Sequence, residues 1–123
     1  MNDRELLEMA AKAAGIHIDK SPCNGGGIGN TGFDMAGNAV LDWHNYKTWN
    51  PLTNDGDALR LAVDLSLAVF TGGVGCVSVS GWIVCGVDAK PIGLTEHYGS
   101  SDKYAATRRA IVLAAAEIGR RKK

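Results

Sequence analysis

The residues best equipped for chemistry crowd into Trp49-Asn50-Pro51-Leu52-Thr53-Asn54-Asp55-Gly56-Asp57-Ala58-Leu59-Arg60. Pro51 fixes its own φ and keeps Asn50 out of the helical region, so these polar groups begin on a rigid turn. Thr53, Asn54 and Asp55 can each cap a helix, and Asp57 puts negative charge into its first turn. Two readings follow. In the first, N–H donors at the helix start suit an anionic group, Arg60 adds charge, and Arg108 or Arg109 reaches across from the last helix. In the second, the acids serve as caps and the arginines pair with them. Asp55 and Asp57 favour the second, because they already hold the position an anion would take. The expected ligand or partner surface comprises Trp49, Asn50, Asp55, Asp57, Arg60, Arg108 and Arg109.

The other chemical candidates are weaker. Trp43, His44, Tyr46 and Trp49 place four ring systems within seven residues. They either close one end of the core or form a stacking surface for a base or another planar ligand, and the core reading is the better one. Gly27-Ile28-Gly29-Asn30-Thr31-Gly32 matches the dinucleotide-binding fingerprint in its letters but not in its context. That motif needs a strand before it and a helix opening inside it, whereas Ser21-Pro22 precedes it here. Glu96-His97 is an acid beside a base, with nothing in the spacing to fix their geometry. Cys23, Cys76 and Cys85 form no CxxC pair, so no metal site is expected and buried thiols are the simpler reading. No nucleophile–base pair is legible, which places an enzyme behind a binding protein, and no cofactor is expected.

Composition narrows the classes. The chain has 123 residues, 46% hydrophobic and 21% charged, enough for one soluble domain with its own core. Thirteen basic side chains balance thirteen acidic ones, which argues against a dedicated nucleic-acid binder. A local basic excess occurs only at Arg120-Arg121-Lys122-Lys123. No apolar run approaches the ~20 residues of a membrane span, and the acidic N-terminus does not resemble a signal peptide. With an odd number of cysteines, reduced thiols and a cytoplasmic setting are expected.

The pattern of apolar residues supplies the scaffold. Asn2 or Asp3 can start a helix that Gly15 ends, with Leu6, Met9, Ala10 and Ala13 on its buried stripe. Ile16-His17-Ile18 alternates like a short strand with His17 facing solvent, and residues 21–32 form a polar, glycine-rich loop. Residues 32–43 read as a hairpin turning at Gly37-Asn38, followed by the connector His44 to Thr48. The helix that Thr53, Asn54 or Asp55 caps shows a stripe of Leu59, Ala62, Val63 and Ser66, widened by Leu61 and Leu65, with Arg60 and Asp64 on a polar side. It is expected to be the central core element. Leu67 to Phe70 reads as a buried strand, and Cys76 to Ser80 and Trp82 to Val87 as two more, or Val74 to Val87 as one bent or bulged ribbon. Lys90 to Ser101 reads as a polar loop. A closing helix runs from Ser101 or Asp102 to about Gly119, with Tyr104, Ile111, Ala115 and Ile118 on its stripe. The order predicts one α+β domain, a mostly antiparallel sheet with N-terminal, central and C-terminal helices packed on it.

Trp49-Asn50-Pro51-Leu52, the Asp55 to Val63 run, and the closing Thr107-Arg108-Arg109-Ala110-Ile111-Val112 to Gly119 carry a resemblance. The chain resembles small phage and prophage proteins of the NinX type, which also open with a short helix, carry an Asn-Pro turn and close with an Arg-containing, alanine-rich helix. The resemblance covers the last two-thirds best. It implies a phage accessory role in the cytoplasm of a bacterial host, without naming a reaction. Two functions are therefore expected in order: a non-catalytic, possible counter-defence protein holding a small nucleotide-like ligand, then an inhibitor or adaptor bound to a host enzyme. Several apolar strand segments in a small neutral domain also suggest a homo-oligomer, most simply a dimer.

Overall fold

A computed structural model describes residues 2–19, 32–34, 36–42, 44–72, 75–85, 88–98 and 102–121. The architecture is α+β: three helices, a two-stranded antiparallel sheet and a three-stranded antiparallel sheet. Most of the glycine-rich stretch 21–32, Met35, Trp43, Cys23, Lys122 and Lys123 lie outside the described residues, as do the side chains of 83–85 and 88–90.

Helix α1 (Asp3–Ala14) starts and stops where its caps dictate. The Asn2 side chain accepts a hydrogen bond from the Glu5 amide at 2.9 Å, and Gly15 ends the helix at φ 73°. Its buried face is Leu6, Leu7, Ala10, Ala11 and Ala13, with the expected Met9 only half-buried. Beyond it, Ile18 is buried, His17 is exposed, and the Asp19 amide donates to the Val40 carbonyl at 2.8 Å.

The hairpin lies later than expected. Strand β1 (Ala39–Asp42) pairs with β2 (Lys47–Trp49), so part of the expected connector is itself a strand. Asp42 organises the turn by accepting from the amides of His44 and Asn45 and from the Asn45 carboxamide. Residues 33–39 keep a smaller closure, a single Phe33–Ala39 bridge around Gly37 at φ 88°.

Helix α2 (Asp55–Asp64) is capped by Asn54, but it is not the centre of the core. It buries Ala58, Leu61 and Ala62, whereas Leu59 is 64% exposed and Val63 68% exposed. The apolar stripe was thus broader than the face that the fold covers. Arg60 turns back to Asp57 instead of forward to Asp64. Strand β3 (Ala68–Phe70) follows and is exposed along its length, not buried.

Strands β4 (Cys76–Cys85) and β5 (Asp88–His97) form one unbroken antiparallel ladder, from Cys76 opposite His97 to Cys85 opposite Asp88. The expected polar loop after Lys90 is therefore largely a strand. The order β3-β4-β5 makes β5 an edge, the position in a sheet that tolerates Pro91. Helix α3 (Lys103–Arg121) covers one face of this sheet, with Asp102 bonding the Tyr104 amide at 2.9 Å. Tyr104 is exposed; Ala106, Ala110, Ile111, Val112 and Ala114 to Ala116 are buried. At its end, Arg120 and Arg121 both reach Glu117, holding that carboxyl below its usual range chiefly through the Arg120 hydrogen bond.

The core is organised by α1 against α3, the most extensive helix pair. Small residues let the backbones approach closely. A Cβ built on Gly119 would fall on the Met9 carbonyl and lie 3.3 Å from the Ala13 amide nitrogen. Val77, Val79 and Ile92 of the sheet join these helices in one apolar cluster.

Candidate functional site

The Asn-Pro turn is a hydrogen-bonded joint. The Asn50 carbonyl accepts from the amides of Thr53 at 3.2 Å and Asn54 at 2.9 Å. Its side-chain oxygen accepts from the Leu52 amide at 3.1 Å, and its side-chain nitrogen donates to Asn38 Oδ1 at 2.9 Å. The Asn50 amide donates to Asp57 Oδ2 at 2.9 Å. Asn50 is buried and every polar group it has is used, as burial demands.

Asp57 is equally committed. Its second oxygen accepts from Arg60 Nη2 at 2.7 Å, and its amide donates to the Asn54 cap at 2.9 Å. Arg108 crosses from α3 to the same turn, donating through Nε to the Leu52 carbonyl at 2.9 Å and through Nη1 to Asp55 Oδ1 at 2.6 Å. The fold thus gathers Asn50, Asp55, Asp57, Arg60 and Arg108 into one network, as caps and pairs. Trp49 sits in the core at 5% exposure. Arg109 points elsewhere, toward Asp3 at 3.5 Å and Glu96 at 3.8 Å. Consecutive arginines on a helix project about 100° apart, so only Arg108 joins the turn.

Glu96 and His97 are separated by the pleat. Adjacent strand residues face opposite sides, so Glu96 meets Arg109 under α3 while His97 lies on the outer face. They form no acid/base pair. Cys76 is a free, half-buried thiol. Among the described residues, no group of three His, Cys, Asp or Glu side chains is placed to share a metal ion.

Beside the network, α2, α3 and β3 enclose a cleft of about 500 Å³. Ala58, Ala62, Val77 and Ile111 form its buried apolar floor, and Leu59, Val69 and Tyr104 form its walls. Asp55, Tyr98, Lys103, Thr107 and Arg108 supply polar groups at the rim. The Lys103 ammonium lies 5.8 Å from the Tyr104 ring centroid. Thr107 donates to the Lys103 carbonyl at 2.7 Å, leaving its oxygen able to accept. Its size and make-up match sites for small organic molecules, which combine an apolar lining with a few polar groups.

Of the surface expected from the sequence, Asp55 and Arg108 border this cleft, while Leu59, Tyr98, Lys103 and Tyr104, which also line it, were not among the expected residues. A signal existed for Leu59. Leu59 and Val63 sit out of phase with Leu61 and Leu65, so the helix has more apolar surface than one buried face needs.

Shifted carboxyls occur away from the cleft. The Tyr46 hydroxyl, 2.7 Å from Asp34, is the largest influence holding the Asp34 carboxyl below its usual range, and the same contact raises the Tyr46 phenol. Asp42 is lowered chiefly by the Asn45 side chain. Both carboxylates organise turns.

Among the described residues, no helix is long and apolar enough to cross a membrane. No protein-family model, curated protein or solved structure matches the chain.

Proposed function

We propose that this chain is a non-catalytic binding protein whose cleft between α2 and α3 holds a small, planar, nucleotide-like ligand. One observation carries the reading: a cavity of about 500 Å³ joins a buried apolar floor and the Tyr104 wall to a rim bearing Tyr98, Lys103 and Arg108. A planar ring lies over Ala58, Ala62 and Ile111, excluding water from apolar surface. The anionic part lies toward Lys103, because Arg108 is already paired with Asp55. The NinX-type resemblance supplies the setting, a phage accessory and counter-defence role in the bacterial cytoplasm.

Titration calorimetry with nucleoside monophosphates and cyclic mono- and dinucleotides tests this. The expected result is saturable binding to at least one of them, lost in Lys103→Ala and in Leu59→Asp while both variants keep the wild-type melting temperature. If no nucleotide binds, or binding survives both substitutions, the reading is wrong.

A second reading rests on the same region's exposed Leu59, Val63 and Val69, which favour a protein partner such as a host enzyme or a second copy of the chain. Native mass spectrometry of the protein taken from infected, defence-active cells separates the readings. A co-purifying small molecule supports the first and a co-purifying host polypeptide the second. Sedimentation at high micromolar concentration reports whether the protein is a dimer.

A further inference from the structure

The three-stranded sheet has a second face, opposite α3. Alternation along β4 turns Val77, Val79 and Gly81 toward the helices and Ser78, Ser80 and Trp82 away from them. Phe70 pairs with Ser78 across β3, and Thr95 pairs with it across β5, so they share that outer face. Phe70 is 63% exposed and Trp82 62% exposed. Between these aromatic ends the floor is low and carries hydroxyls: Ser80 lies opposite Gly93, and the Ser78 and Thr95 hydroxyls sit 3.3 Å apart. Beside Trp82, a depression of about 220 Å³ is lined by Ser66, Ala68, Ser80 and Pro91 together with Gly81 and Ile92 between them, and is large enough for one six-membered ring.

We propose that this outer sheet face binds a neutral oligosaccharide, with one sugar ring in the depression against Trp82 and the chain running toward Phe70. Four residues along β4 and one strand across separate the two aromatic positions by about 14 Å, the reach of a short oligosaccharide. Aromatic faces take the C–H sides of pyranose rings, and serine and threonine hydroxyls exchange hydrogen bonds with sugar hydroxyls. Charge decides against nucleic acid. Among the described side chains of this face, only Cys76 and His97 are titratable, paired at its far end, and no lysine or arginine is present to meet phosphates. Width favours a narrow ligand: β3 contributes only Ala68–Phe70, so the exposed face is a strip three strands, or about 14 Å, wide.

Titration calorimetry with cello-, malto- and chito-oligosaccharides tests the proposal on the full chain. At least one series is expected to bind saturably in the sub-millimolar range. Trp82→Ala and Phe70→Ala should each weaken that binding about tenfold or more. Lys12→Ser, exposed on α1 away from this face, should leave it unchanged, and thermal melts should show all three variants folded. Failure of every series to bind overturns the proposal, as does binding indifferent to both aromatic substitutions. Trp82-dependent binding of oligothymidylate would assign the face to single-stranded nucleic acid instead. A dimer in sedimentation that Trp82→Ala dissociates would assign it to a second copy.

Discussion

Replacing Gly119 with alanine adds a single methyl group at the closest approach of α1 and α3. The added carbon would lie 2.8 Å from the Met9 carbonyl carbon and 3.3 Å from the Ala13 nitrogen, and would overlap the Met9 oxygen. Carbon–carbon contacts are comfortable at about 3.5–4.0 Å, so the helices must separate by roughly 1 Å. The obstacle is backbone, which no rotamer change can relieve. Helix propensity works the other way, since alanine is better than glycine by about 1 kcal/mol in a helix interior. Overpacking a filled core costs about 1–3 kcal/mol, and here the shift is shared by a whole helix pair, so the upper part of that range applies. The net expectation is a loss of about 1–2 kcal/mol. For a chain of this size that lowers Tm by roughly 4–10 °C. Thermal and denaturant unfolding followed by circular dichroism measure it. An unchanged or raised Tm would refute the close-approach argument. So would rescue by Met9→Ala, because shortening that side chain leaves the obstructing carbonyl in place.

The turn network separates its members by burial. Asp57→Ala should cost more than Arg60→Ala, because it strips the Asn50 amide of its partner, while Arg60 is exposed and its pair is worth about 0–1 kcal/mol; equal losses in denaturant unfolding would contradict this. Asn54→Ala removes the cap of α2 and should cost about 0.5–2 kcal/mol in the same assay. Asp34 has a folded-state pKa below its unfolded value. Its contribution to stability is therefore full above the unfolded carboxylate pKa and is lost as pH falls through the folded one. Tyr46→Phe should shrink that acid-side loss in a Tm-against-pH series, and an unaltered profile would count against the Asp34–Tyr46 contact. Leu59→Ser should leave stability within about 0.5 kcal/mol, since the side chain is already mostly in water, and a large loss would place Leu59 in the core.

How much of this was legible depended on whether the signal was local. The ends of α1 could be read because Asn2 and Gly15 act within their own turn. The start of α2 could be read to within a residue from Thr53, Asn54 and Asp55, of which Asn54 is the cap. The buried face of α2 could not, because Leu59 and Val63 are as apolar as Leu61 and only tertiary packing decides which of them is covered. Strand β5 was missed because Pro91 and Gly93 have loop-like preferences, and it is the long register with β4 that overrides them. The α1–α3 contact was hidden by its own composition: alanines surround both helices, and nothing in that pattern says where two backbones touch. Of the candidate site, the residues bound to the turn were visible as a group. The cleft was not, because Tyr98, Lys103 and Tyr104 meet α2 only after the sheet has brought α3 back across the chain.

That return has a kinetic side. Met9 and Gly119 are 110 residues apart, so this close helix contact joins segments almost as distant as the sequence allows. Closing so long a loop costs entropy before its contacts repay it, which places the α1–α3 contact late in folding. The β4–β5 ladder, with only residues 86–87 between its strands, is free to form early. Because each helix is packed chiefly on the other, α1 and the α1-facing part of α3 are expected to open together, and hydrogen exchange should report one shared protection value for their amides. The short β1–β2 hairpin is expected to exchange at lower cost.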